Sequence, residues 1–112
     1  MSRDWRLRIE DILGSIKRIE SYTSSCTEES FAQNQLVIDA VVRNLEIIGE
    51  AARHTPEDLK RAHPEIPWAE MQAMRNLLAH EYFGVSIPIV WNTVKNNLPP
   101  LKPLLQDLLD CA

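Results

Sequence analysis

Trp5, Ile9, Ile12, Ile16 and Ile19 follow one another at steps of four, three, four and three residues, a spacing that predicts a helix over residues 4 to 22. All five fall on one stripe of a 3.6-residue period, so the helix must bury that stripe against something else. The alternation that marks a half-buried strand is nearly absent from the chain, which also holds only three glycines. A chain written this way packs helix on helix.

The same reading extends to the C-terminus. Ser21 to Glu29 is polar and reads as a loop. A longer helix is expected from about Ser30 to His54, with Leu36, Val37, Ala40, Val41, Leu45, Ile48 and Ala52 as its inner face. Thr55-Pro56-Glu57-Asp58 resembles a helix start, with Thr55 as cap, proline in the first turn and acids at the positive end of the dipole. That short helix ends near His63, because Pro64 and Pro67 remove backbone donors. Pro67 then opens a helix carrying Trp68, Met71, Met74, Leu77 and Leu78 towards Tyr82, with Gly84 as its stop. Ser86 caps the next, with Ile87, Val90, Trp91, Val94 and Leu98 inside. Asn97, Pro99, Pro100 and Pro103 predict a kink or restart before Leu104, Leu105, Leu108 and Leu109. The sum is an all-α, antiparallel up-and-down bundle of four main helices, one short helix and a bent C-terminal segment, in one domain over 1–112.

With 45% hydrophobic and 25% charged residues, the 112-residue chain carries enough apolar material for a core. No apolar run approaches the roughly 18 residues of a membrane span, and no signal-peptide pattern opens the chain. Cys26 and Cys111 match no metal-ligand spacing and read as reduced thiols. The expected location is the cytoplasm. A net charge of −4 argues against a general nucleic-acid binder, whose affinity comes from a basic surface. RNA, if bound, is bound at a local site.

One segment holds polar groups that packing does not require. Arg75, Asn76, His80, Glu81 and Tyr82 form an R-x4-H-x-Y arrangement. Cleaving RNA without a metal needs a base for the ribose 2′-hydroxyl, a proton for the leaving oxygen and positive charge at the phosphate. Histidine, with an ordinary pKa of about 6.5, suits proton transfer. Arginine stays charged and offers phosphate a fork of donors. At about 100° per residue, however, Arg75 and His80 stand about 140° apart around an ideal helix. Either the helix loosens near Gly84, or a twofold dimer supplies groups from both chains to one cleft; the dimer is the expected solution. Near a helix C-terminus the dipole also favours a charged His80.

Other polar residues have plainer readings. Glu50, three residues before Arg53 and four before His54, reads as a surface ion pair, a place beside the active cleft being the other reading. Gly49, unfavourable in mid-helix, implies close helix approach, with a dimer seam as one setting. Trp5, Trp68 and Trp91 read as core, and His54 and His63 as helix-end residues.

Met74-Arg75-Asn76-Leu77-Leu78-Ala79-His80-Glu81-Tyr82-Phe83 resembles the signature of HepT-like proteins, toxin partners of minimal nucleotidyltransferase antitoxins. Asn44-Leu45-Glu46-Ile47-Ile48-Gly49-Glu50-Ala51-Ala52 is similar to the family's other recurrent helix, and Pro67-Trp68 and Val90-Trp91-Asn92-Thr93-Val94 also fit. The resemblance covers nearly the whole chain. It implies a dimeric bundle of the HEPN group and the toxin of a type VII-like HepT/MntA toxin–antitoxin system, a metal-independent endoribonuclease. Arg75 and His80 would be its catalytic pair and Asn76 their support. Tyr82 would be the residue that the cognate nucleotidyltransferase adenylylates to silence the toxin. The implied partners are a second copy, the antitoxin and RNA, with no cofactor, no metal and no membrane. A non-enzymatic substrate-binding or partner subunit of a nucleotidyltransferase is the competing function.

Overall fold

The computed structural model describes residues 4–80 and 86–111, with the backbone alone at 4 and 76–80. The elements are α1 (Asp4–Thr23), α2 (Glu28–Ala32), α3 (Gln35–Arg53), α4 (Glu57–Ala62), α5 (Trp68–His80), α6 (Ile87–Asn92), a π-helical stretch (Thr93–Asn97) and α7 (Leu101–Cys111). No strand occurs among the described residues, as the helical periodicity predicts.

In α1 the expected stripe is the buried stripe: Trp5, Ile9, Ile12, Ile16 and Ile19 all lie in the core. Each such side chain contributes about 1.5–3 kcal/mol by leaving water. The helix outlasts the expected boundary, since Thr23 remains helical and its hydroxyl donates to the Ile19 carbonyl at 2.8 Å. The loop therefore shrinks to residues 24–27.

The single helix expected from Ser30 is two. Thr27 and Ser30 form a reciprocal capping box that starts α2, and α2 buries Phe31. The chain then turns, and Asn34 restarts it by accepting a hydrogen bond from the Val37 amide at 3.1 Å. Within α3 the buried stripe is narrower at its start than expected. Leu36, expected inside, is 81% exposed, and Val37 and Ala40 are only partly buried. The inner face is instead Ile38, Val41, Leu45, Ile48, Ala51 and Ala52, with Asn44 among them.

Thr55 does not cap α4. Its hydroxyl donates back to the Ala51 carbonyl at 2.9 Å in a buried position, and Pro56 stands at the N-cap without a side-chain bond. His54 and His63 are the C-caps of α3 and α4, as expected. Trp68 starts α5 with its indole N–H donating to the His63 carbonyl at 3.0 Å. Ser86 caps α6, its hydroxyl accepting from the Ile89 amide.

The expected C-terminal disturbance is a π-helical stretch followed by a restart. Leu98 N–H donates to the Thr93 carbonyl five residues back, and α7 begins after Pro99 and Pro100. Pro103 falls in the first turn of α7, where its missing N–H has no helical partner to lose. Trp5 and Trp68 are core, whereas Trp91 is only partly buried, lying 5.2 Å from the Phe31 ring with the Lys95 ammonium over it.

Two contacts give α1 and α7 opposite directions. Arg6 donates to the Leu109 carbonyl at 2.8 and 3.2 Å, and Lys102 donates to Glu20 at 2.8 Å. The central element is α3, packed against α1 and α5. No described helix is long and apolar enough to cross a membrane. Cys26 and Cys111 are free thiols. The expected stop at Gly84 lies outside the described residues.

Candidate functional site

The site is built where α5 crosses α3, and the crossing depends on one missing side chain. A Cβ placed on Gly49 would stand 2.5 Å from the Arg75 Cβ and 2.9 Å from its backbone nitrogen. No side chain fits there, so α5 lies with its backbone against α3 at Arg75. The close approach inferred for Gly49 is real, and it is made within one chain.

From that root the Arg75 side chain runs to the next residue of α3, forming an ion pair through Nε with Glu50 Oε2. The carboxylate's other oxygen, Oε1, lies 2.8 Å from His54 Nε2 and 3.9 Å from Arg53 Nη1. Glu50 thus makes the pairs within its helix that its spacing predicted. It also makes a third, to Arg75, that spacing along one helix does not reveal. Its pKa is lowered from the ordinary value, first by the hydrogen bond with His54 and then, against some loss of hydration, by the charge of Arg75. Arg75 remains 38% exposed and Glu50 41%. A pair this open is screened by water and adds little to stability, so its value is geometric.

Arg75 and Glu50 face a cleft of about 430 Å³ between α1, α3 and α5. Arg8 and Asp11 of α1 and Arg43 and Glu46 of α3 also line it, so cations and anions balance at three each. Arg43 and Glu46 approach to 3.8 Å. The walls are set in register by a polar tie: Arg18 Nε donates to the Asn44 side-chain oxygen at 3.0 Å, and the Asn44 amide donates to the Ala40 carbonyl. This occupies the buried Asn44 and joins α1 to α3.

The sequence-predicted residues divide as follows. Arg75 lies at the cleft. The backbone of Asn76 and His80 is helical, and α5 continues as α-helix through His80, so the angular separation from Arg75 expected of an ideal helix holds. The side chains of Asn76 and His80, and Tyr82 entirely, lie outside what the structure describes. Sequence reasoning passed over Arg8, Asp11, Arg43 and Glu46. The available signal was the charged row Arg43, Glu46 and Glu50 along one side of α3, beside the glycine that admits α5.

Comparison with known proteins agrees with the sequence resemblance. A family described as "Ribonuclease HepT-like" matches residues 12–108. A Thermococcus cleftensis protein named "Probable ribonuclease HepT" is 45% identical over 108 residues, 96% of this chain and 98% of its own. A Methanocaldococcus jannaschii protein named a "Putative RNase" is 38% identical over 100 residues, 89% of this chain and 92% of its own. Another from that organism, named "Gamma-glutamylcyclotransferase and putative RNase", is 37% identical over 110 residues. The chain spans 50% of that longer relative. No solved structure matches the chain.

Proposed function

We propose that this chain, which belongs to the HepT-like ribonuclease family, is a toxin that cleaves RNA without a metal and acts in the cytoplasm. The observation that carries the reading is Arg75, a half-buried guanidinium held by Glu50 in the lining of a charged cleft in a chain of this family. In the proposed reaction a base removes the proton of a ribose 2′-hydroxyl, whose oxygen bonds to the adjacent phosphorus. The bond from phosphorus to the 5′-oxygen breaks, and that oxygen takes a proton, leaving a 2′,3′-cyclic phosphate and a 5′-hydroxyl. His80 is the proton-transferring residue, Arg75 neutralises the crowded phosphate, and Asn76 supports them.

The proposed active form is a homodimer. The α5 backbone stays helical through His80, so positions 75 and 80 stand about 140° apart around it, and a twofold axis would let each cleft draw groups from both copies. The proposed silencer is a cognate minimal nucleotidyltransferase antitoxin that adenylylates Tyr82. The added nucleotide would bring negative charge and bulk to a site that must receive phosphates.

The test is expression of wild type, Arg75→Ala and His80→Ala, with growth, cellular RNA integrity and cleavage of RNA in EDTA as readouts. Wild type should arrest growth and cut RNA, and both variants should lose at least about a hundredfold of activity. Co-expression with the neighbouring nucleotidyltransferase should add mass to wild type and none to Tyr82→Phe. Equal, harmless behaviour of all forms overturns the toxin reading. Modification of Tyr82 without any RNA cleavage would point instead to a non-enzymatic partner subunit.

A further inference from the structure

We propose that Glu50 is a positioning residue for Arg75, a carboxylate on α3 that presents the guanidinium to an RNA phosphate already oriented. The proposal rests on the reading of Arg75 as the phosphate-facing group, and deepens it.

Three observations converge on Glu50. The root of the Arg75 side chain is immobilised by the contact of its backbone with Gly49. Its far end is held through Nε by Glu50 Oε2. The carboxylate is itself steadied on its other oxygen by His54 at 2.8 Å, with Arg53 further off at 3.9 Å, both one turn along the same helix. One oxygen is thus committed to α3 and the other is aimed across the crossing at α5. An arginine carries five N–H donors, of which Nε has one; the two terminal nitrogens hold the remaining four and can form a fork to phosphate. Pairing through Nε therefore fixes the direction of the fork without consuming its terminal donors. Among the described residues no second carboxylate pairs with Arg75.

The charge of Glu50 makes the proposal separable from a simple binding role. A carboxylate beside Arg75 repels a phosphate, so its removal should leave RNA affinity unchanged or raised. What falls is the fraction of bound complexes whose guanidinium points correctly. Positioning thus predicts a loss in kcat with KM unchanged or lower, the opposite of losing a substrate contact.

The experiment compares wild type, Glu50→Ala, Glu50→Gln and Arg75→Ala, reading steady-state cleavage of a short RNA, melting temperature and the Arg75 Nε–H signal by NMR. Glu50→Ala should lower kcat by about tenfold to a hundredfold without raising KM, at a near-wild-type melting temperature. Glu50→Gln, which keeps an acceptor for Nε–H but no charge, should recover part of that loss. The Arg75 Nε–H signal of wild type should be shifted and slow to exchange, and should collapse in Glu50→Ala. A Glu50→Ala protein with wild-type kcat, with raised KM, or with an unchanged Nε–H signal overturns the positioning role, as does an activity loss that only follows unfolding. Absence of cleavage by wild type overturns the ribonuclease reading instead, and Arg75→Ala cleaving like wild type overturns the role of Arg75. The NMR signal separates these failures from failure of the positioning role, since it reports the pairing whether or not RNA is cut.

Discussion

At the scale of single residues, the centre of this protein is a carboxylate shared between helices. Glu50 keeps its charge at lower pH than an ordinary glutamate, because His54 bonds it and Arg75 and Arg53 face it. Since the folded state lowers its pKa, its contribution to stability is present above the unfolded value near 4.5 and is lost as pH falls through the lowered one. Melts of wild type and Glu50→Gln over a pH series should therefore differ near neutrality and converge on acidification below that value. A difference that widens towards acid would contradict the pairing. Arg75 was legible in the sequence as a residue type out of place on a packing helix. Its partner was not, because spacing along α3 displays only Arg53 and His54, and the third contact exists only once α5 has been laid across.

At the scale of elements, that crossing is controlled by Gly49. Placing a methyl group there gains about 1 kcal/mol of helix propensity, but it meets the backbone and Cβ of Arg75 at distances no side chain tolerates. Overpacking of this kind destabilises by about 1–3 kcal/mol, so Gly49→Ala should be net destabilising, by up to about 2 kcal/mol in denaturant melts. Wild-type stability in this variant would mean that α5 is free to slide. The helix types and most boundaries could be read from periodicity, best in α1, where each stripe residue is buried. The failures have local causes. Asn34 caps α3 where the periodicity alone continues the helix, and Leu36 faces outward because at five residues before Val41 it stands about 140° from the buried stripe. Thr55 had two uses for its hydroxyl, and the bond back to the Ala51 carbonyl won over capping.

At the scale of the molecule, the chain is acidic overall and the cleft beside Arg75 carries as many anions as cations. In the proposed dimer two copies would offer one RNA strand two Arg75 guanidiniums, offsetting part of the repulsion. Light scattering at micromolar concentration should give twice the chain mass of 12.9 kDa. A monomer under these conditions would leave Arg75 and His80 on diverging sides of one helix and overturn the composite site.

The bare spot on α3 also sets a bound on how the protein can be improved. Because Gly49 and Glu50 are adjacent, the spacing of two helices and the bearing of one guanidinium are a single degree of freedom. Variants that fill that seam would push α5 off α3 and turn the Arg75 guanidinium from its pairing with Glu50.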